Sequence, residues 1–173
     1  MTQAADRVPT PPAAAETVPA LRACLFTVSG ARFAVDVRSA REVALFDEIT
    51  PVPRSPRHLV GVANLRGTVV PIVDVGPLLG LPALRAPRDV RTLVLRDGPL
   101  LAAMVVEAIL GLEPFDTLLA PDTPAAPWNR VPSRFLNGWL VWAGAMVPVL
   151  DAGLMLAELR ASGTSAAVRR SAA

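Results

Sequence analysis

The sequence predicts an all-β protein, two small barrels packed side by side with short helices, and three observations carry that prediction. Eleven glycines and 18 prolines punctuate 173 residues, while 52% of the side chains are apolar and only 5% aromatic. That mix suits short strands joined by many turns better than long helices. Apolar residues alternate with period two on both sides of glycine-containing turns, in two separate places. One stretch also occurs twice. GVANLRGTVVPIVDV, which starts at Gly61, lies without a gap on GWLVWAGAMVPVLDA, which starts 77 positions later at Gly138.

Taken in order, residues 1–20 are rich in Pro, Ala and Thr without periodicity and read as a disordered tail. Cys24, Phe26 and Val28 alternate with polar or smaller residues, a turn follows at Ser29-Gly30-Ala31-Arg32, and Phe33, Val35 and Val37 alternate again. This is a β-hairpin. A second hairpin runs from Thr92 through Asp97-Gly98-Pro99 to Val106, with Asp-Gly as its turn signal. Between and after these lie the two copies of the repeated stretch. Gly61 meets Gly138, Gly67 meets Gly144, Val70-Pro71 meets Val147-Pro148, Asp74 meets Asp151, and Leu79 meets Leu156. So many special residues in one order point to a duplicated supersecondary unit. The segment from Ala120 to Pro132 is Pro-rich and reads as a long loop. Residues 161–173 read as a second disordered tail. The ordered domain is therefore 21–160, in two intertwined halves of roughly 21–85 and 86–160.

Short antiparallel strands leave exposed edges unless they close on themselves. Two barrels side by side solve that problem. Neither alone has a generous core, so the two are expected to share one. Asp74 and Asp151 each follow a strand and precede a short apolar stretch, and the simplest role for both is helix N-cap. A catalytic carboxylate pair is the rival reading, disfavoured because a duplicated position usually answers a duplicated structural need.

Much chemistry is missing. All 17 basic residues are arginine, and the chain has neither lysine nor tyrosine. That removes Schiff-base catalysis, a P-loop lysine and a tyrosine acid or base. The net charge is only +2, with arginines scattered among acidic residues. A nucleic-acid binder clusters them on one face, so no nucleic acid is expected. His58 is the only histidine and Cys24 the only cysteine. No metal set of N and S ligands can be drawn from them, and no disulfide within the chain. His58, beside Arg57, reads as a solvated loop residue, and Cys24 as a small buried one. No catalytic residue, cofactor or metal is expected. The first 20 residues lack an apolar signal core, and the longest apolar run, Gly138 to Leu150, is too short to span a bilayer. The expectation is a cytoplasmic protein without membrane insertion.

Further residues carry a resemblance. Ala23-Cys24-Leu25-Phe26-Thr27-Val28, Phe33-Ala34-Val35-Asp36-Val37 and Arg41-Glu42-Val43 precede Ile49-Thr50-Pro51-Val52-Pro53. Asn64-Leu65-Arg66-Gly67 then leads to Val70-Pro71-Ile72-Val73-Asp74. This order, from Leu21 to Leu159, strongly resembles the CheW-like family of bacterial chemotaxis adaptors. The resemblance implies a non-enzymatic scaffold of two five-stranded, SH3-like barrels. It implies two partners, the CheW-like regulatory domain of a CheA-type histidine kinase and the cytoplasmic tip of a methyl-accepting chemoreceptor. It also implies recruitment of the protein to membrane-associated receptor arrays. The matching arginine, Arg66, would pair with Glu42 in the receptor- and kinase-facing region, beside Asn64. Val37, Val43, Val106 and Ile109 would line a groove for a receptor helix, although core is the better reading for any one of them taken singly.

Physical chemistry gives Arg66 a use. Beside Gly67 at a hairpin tip it reaches away from the strands, and its planar fork holds a carboxylate without ever losing charge. The second copy departs from the first, with Ala143 where Arg66 stands, so only one barrel has a charged tip. Trp139 and Trp142, three apart, cannot both face inward by alternation, which leaves one of them for a surface contact. Two rivals remain. One is a CheW-like adaptor of a divergent pathway, in motility or development. The other is a small β-barrel ligand binder or enzyme, which would need a polar pocket of convergent titratable groups.

Overall fold

The computed structural model describes residues 21–84, 90–123 and 131–171. The N-terminal segment read as a tail and most of the Pro-rich loop lie outside them. Ten strands form two five-stranded sheets. The strands are β1 (Leu21–Val28), β2 (Ala31–Asp36), β3 (Ala40–Phe46), β4 (Leu59–Leu65), β5 (Thr68–Val73), β6 (Val90–Asp97), β7 (Leu100–Val105), β8 (Ala108–Phe115), β9 (Leu136–Trp142) and β10 (Ala145–Leu150). A helix, α1 (Ala152–Ser171), ends the chain, and short 3-10 turns stand at Pro77–Leu79 and Ser133–Phe135.

Barrel one has strand order β8-β1-β2-β10-β9, and barrel two β3-β6-β7-β5-β4. Each sheet curls until the chain beyond one edge strand touches the other edge. In barrel two, Thr50, just past β3, bridges to Val62 of β4. In barrel one, Leu119, past β8, bridges to Trp139 of β9. Gly61 and Gly138 make this closure possible. A Cβ on Gly61 would sit 2.5 Å from the Thr50 carbonyl oxygen, and one on Gly138 2.5 Å from that of Leu119.

The barrels are not the halves 21–85 and 86–160. Each half contributes a hairpin, a strand and a second hairpin, and the first hairpin crosses into the other barrel. β1–β2 joins β8, β9 and β10, whereas β6–β7 joins β3, β4 and β5. Among the described residues the crossing strands add the only parallel pairs, β2 with β10 and β5 with β7. Strands that pass between barrels are buried on both faces. In β1, Ala23 and Leu25 fill barrel one, while Cys24, Phe26 and Val28 fill a central core between the barrels. In β7, Ala103 and Val105 fill barrel two, while Ala102 and Met104 face the central core. That shared core is the largest of the three clusters, as two individually small barrels require. Phe26 and Phe33 stand opposite each other within it, with their rings stacked at 6.0 Å.

The duplication is exact in pairing. Ala63 faces Val70 and Leu140 faces Val147, each residue 77 after its counterpart. The first hairpins correspond at a separation of 69, Phe26 opposite Phe33 matching Leu95 opposite Ala102. The additional residues of the second half fall in the Pro-rich loop.

Asp151 caps α1 as expected, its Oδ1 accepting the Leu154 N–H at 2.9 Å. Asp74 does something related but different. It accepts the N–H of Gly76 at 2.9 Å and that of Leu84 at 2.7 Å, tying down the loop after β5, while Gly76 itself precedes the 3-10 turn. Both carboxylates thus serve backbone. α1 also runs to Ser171, through the stretch read as a C-terminal tail. Asp151 starts the helix and alanines recur along it, which favours helix over coil.

Candidate functional site: a charged hairpin tip on barrel two

The β4–β5 turn is Leu65-Arg66-Gly67-Thr68, with Leu65 and Thr68 paired. Arg66 has φ +50° and Gly67 φ +87°, the double left-handed geometry of a type I′ hairpin turn. Its handedness matches the twist of the strands it joins, which is why an arginine tolerates the position. Asn64 holds the turn from below, its Oδ1 accepting the Gly67 N–H at 2.7 Å. Asn64 is therefore a positioning residue for Arg66.

Glu42 is placed by β3. The β3–β6 register slips between Ala40 and Glu42, so Arg41 bulges out unpaired. Such bulges re-aim neighbouring side chains. Here the Glu42 carboxylate meets Arg66, Nη2 to Oε2 at 2.8 Å, with Arg41 Nε 3.7 Å from Oε1. The carboxylate is 18% exposed and the Arg66 side chain 80%. Glu42 thus steadies one edge of a guanidinium that otherwise projects into water.

Exposed apolar side chains stand on the neighbouring strands β3 and β5. Val43, Leu45 and Val69 are 49%, 63% and 70% exposed. Leu45 and Val69, with Asn64, Val62 and Thr50, line a groove of about 570 Å³ where the barrel edges meet, and Asp47 and Glu48 stand on its wall. Of the residues proposed from sequence, the structure brings Arg66 and Glu42 together and sets Asn64 beneath the same turn, while Val43 is exposed on the opposite face of β3 from Glu42. Val37 and Ile109 lie half-buried elsewhere, Val37 in the turn that leads from barrel one to barrel two and Ile109 against the central core. Val106 is 3% exposed and belongs to that core. It drops out of the groove because, just past the end of β7, it packs into that core. Val106 is also the duplicate of Val37. The Val37 N–H donates to the Arg22 carbonyl, and the Val106 N–H to that of Arg91.

Sequence reasoning passed over Leu45, Val69 and Arg41. The alternation Arg41, Val43, Leu45 was the available signal for the outer face of β3. The tryptophan expectation is also corrected. Trp139 is 3% exposed in the central core with its Nε1 donating to the Pro121 carbonyl, and Trp142 is half-buried beneath the Arg32 guanidinium. Neither is an open contact, because the loop after β8 covers Trp139, while Trp142 packs against the core of barrel one. Barrel one repeats the hairpin with Ala143 at φ +49° and Gly144 at φ +74°, but carries no arginine there. Its exposed large apolar residues include Leu110, Leu112 and Val141.

Cys24 is buried, and burial pushes its thiol pKa up. His58 is pushed the other way, down from its ordinary value by burial, with Glu158 opposing.

Comparison with known proteins places this architecture. Residues 22–160 match the family model described as CheW-like domain. The chain is 31% identical over 133 residues to chemotaxis protein CheW of Rhizobium meliloti, which covers 73% of this chain and 81% of the relative. It is 31% identical over 110 residues to protein FrzA of Myxococcus xanthus, covering 62% and 69%. In fold it matches the crystal structure of the scaffolding protein TtCheW from Thermoanaerobacter tengcongensis, with a TM-score of 0.67 at 21% identity over 79% of this chain and 88% of that one. Two crossed barrels, a matching domain model and a relative aligned over most of both chains have one explanation: the chain belongs to the CheW-like domain family.

Proposed function

We propose that this chain is a non-enzymatic adaptor of chemotaxis signalling that couples methyl-accepting chemoreceptors to a CheA-type histidine kinase. It does so by holding the kinase's CheW-like regulatory domain and the receptor's cytoplasmic tip in one assembly. The observation that carries this reading is the Arg66–Glu42 ion pair at the β4–β5 hairpin tip, on a CheW-like domain whose two duplicated aspartates both serve backbone. On a free surface such a pair contributes about 0–1 kcal/mol. Covered by a partner, a hydrogen-bonded charge of this kind matters by about 2–5 kcal/mol when truncated. The pair therefore acts chiefly in the complex. The mechanism is one of geometry: a rigid double barrel fixes kinase against receptor, so a receptor's change of state biases the kinase. Among the described residues no helix is long and apolar enough to cross a membrane. Attachment to receptor arrays then comes through partners.

The match to FrzA keeps a second reading, an adaptor of a divergent chemosensory pathway with the same docking chemistry. Co-precipitation with the regulatory domain of a CheA-type kinase from the same cell tests the main reading. Wild type is expected to bind and Arg66→Glu to lose at least tenfold in affinity. Undiminished binding by Arg66→Glu would take Arg66 out of the interface, and no binding by wild type would overturn the kinase as partner.

A further inference from the structure

A cleft of about 400 Å³ opens on the opposite side of barrel two, between α1 and the edges of β4–β5 and β6–β7. Val73, Leu100, Ala102, Leu156 and Leu159 form its apolar wall, and His58 and Arg160 supply an imidazole and a guanidinium. The internal duplication shows what normally fills such a place. Phe135, 77 residues on, is the counterpart of His58, and the two share the same backbone bond. The Asp74 N–H donates to the His58 carbonyl and the Asp151 N–H to that of Phe135, each at 2.8 Å. Phe33, 69 residues back, is the counterpart of Ala102. Both phenylalanines are sealed in the central core, at 0% and 1% exposure. Leu100, in place of Ala31, returns only part of that bulk. Backbone and pairing are thus duplicated, while two aromatic rings have been replaced by an alanine and a histidine.

We propose that this cleft is a binding site for a small aromatic molecule of one or two fused rings carrying a single neutral hydrogen-bonding group. The ring occupies the space that Phe33 and Phe135 fill in the other copy, and the polar group meets His58. Burial favours the neutral imidazole, which both donates and accepts. Glu158, whose charge acts on His58, offsets the Arg160 guanidinium that also lines the cleft, so no net charge selects an acidic group. Apolar pockets of this kind with a few placed polar groups are the usual form of small-molecule sites.

Indole is the probe. In a ¹⁵N–¹H NMR titration of the full chain, saturable shifts are expected on the amides of Val73, Ala102 and Leu156, with half-saturation near ~1 mM or below. Ala102→Phe, which restores the ring of the other copy, is expected to weaken binding at least tenfold. His58→Phe, which restores the second ring of the other copy, is the second variant and carries the comparison if Ala102→Phe does not fold. Shifts that stay linear to roughly 10 mM, or saturable shifts unchanged in a folded filling variant, would overturn the site.

Discussion

At the scale of single residues, Arg66 is held in a backbone conformation it does not prefer, and that separates its stability role from its binding role. A non-glycine residue at positive φ costs about 1–2 kcal/mol, more than an exposed ion pair returns. Arg66→Gly should therefore leave the urea-unfolding midpoint unchanged or higher. The same variant should bind the kinase regulatory domain at least tenfold more weakly by calorimetry. A loss of stability with intact binding would make the arginine a structural pin. His58 gives a pH prediction. Its folded pKa lies below the ordinary value of 6.5, so below that pH the unfolded chain binds the extra proton first. Stability should fall as pH drops from about 6.5 towards the depressed folded value. His58→Gln should flatten that part of a melting-temperature-against-pH curve, and a curve unchanged by the substitution would show that His58 does not titrate differently on folding. The legible part of the site was its charge. Arg66, Asn64 and Glu42 stand out because a tetrapeptide turn and a lone cation are visible in one dimension. Val106 misled because alternation marks which residues share a face without saying whether that face is covered.

At the scale of elements, the turns and closure points decide whether each barrel forms. Gly61 lies against the Thr50 carbonyl with no room for a methyl group, since even Ile49 Cγ2 would be 2.6 Å from it. Gly61→Ala should cost about 2–4 kcal/mol through displacement of the closing bridge, read as a lowered denaturation midpoint. The opposite change is available at the second hairpin tip. Ala143 occupies the first central position of the I′ turn at φ +49°, where asparagine is preferred before glycine. Ala143→Asn should stabilise by about 0.5–1 kcal/mol. A loss of stability there would mean that the turn is set by packing rather than by local preference. Sequence pattern located both hairpins and both turns because glycine and period two are local signals. It left one of Trp139 and Trp142 for a surface contact because alternation does not show the loop and the arginine that cover them, and it stopped α1 early because the alanines after Arg160 were read with their Gly-Ser-Thr neighbours.

At the scale of the molecule, the exchange of first hairpins follows from the length of the links. Suppose β6–β7 stayed with its own half and β8 lay beside β6, as β3 does now. Val105 stands opposite Thr92 of β6. Ala108 pairs with Thr27, the counterpart of Arg96, so it would stand opposite Arg96. Four residues along a strand are about 13 Å, and two strand spacings about 10 Å, so the link would need to span roughly 16 Å. Three residue steps reach only about 11 Å. The corresponding link after β2 would have to be pulled straight across the face of β1. The chain therefore sends each first hairpin into the other barrel, and no repeat signal in the sequence could reveal this, because exchanged and unexchanged barrels present the same pattern of strands. A cut between residues 85 and 86 tests the consequence. Each piece lacks the hairpin that completes its barrel and half of the central core, so neither should give a dispersed NMR spectrum alone. An equimolar mixture should recover the spectrum of the whole chain, since the cut falls in the link between β5 and β6 and every exchanged contact can reform between pieces. A monomeric, folded 86–173 piece would show that the short links do not forbid the unexchanged barrel.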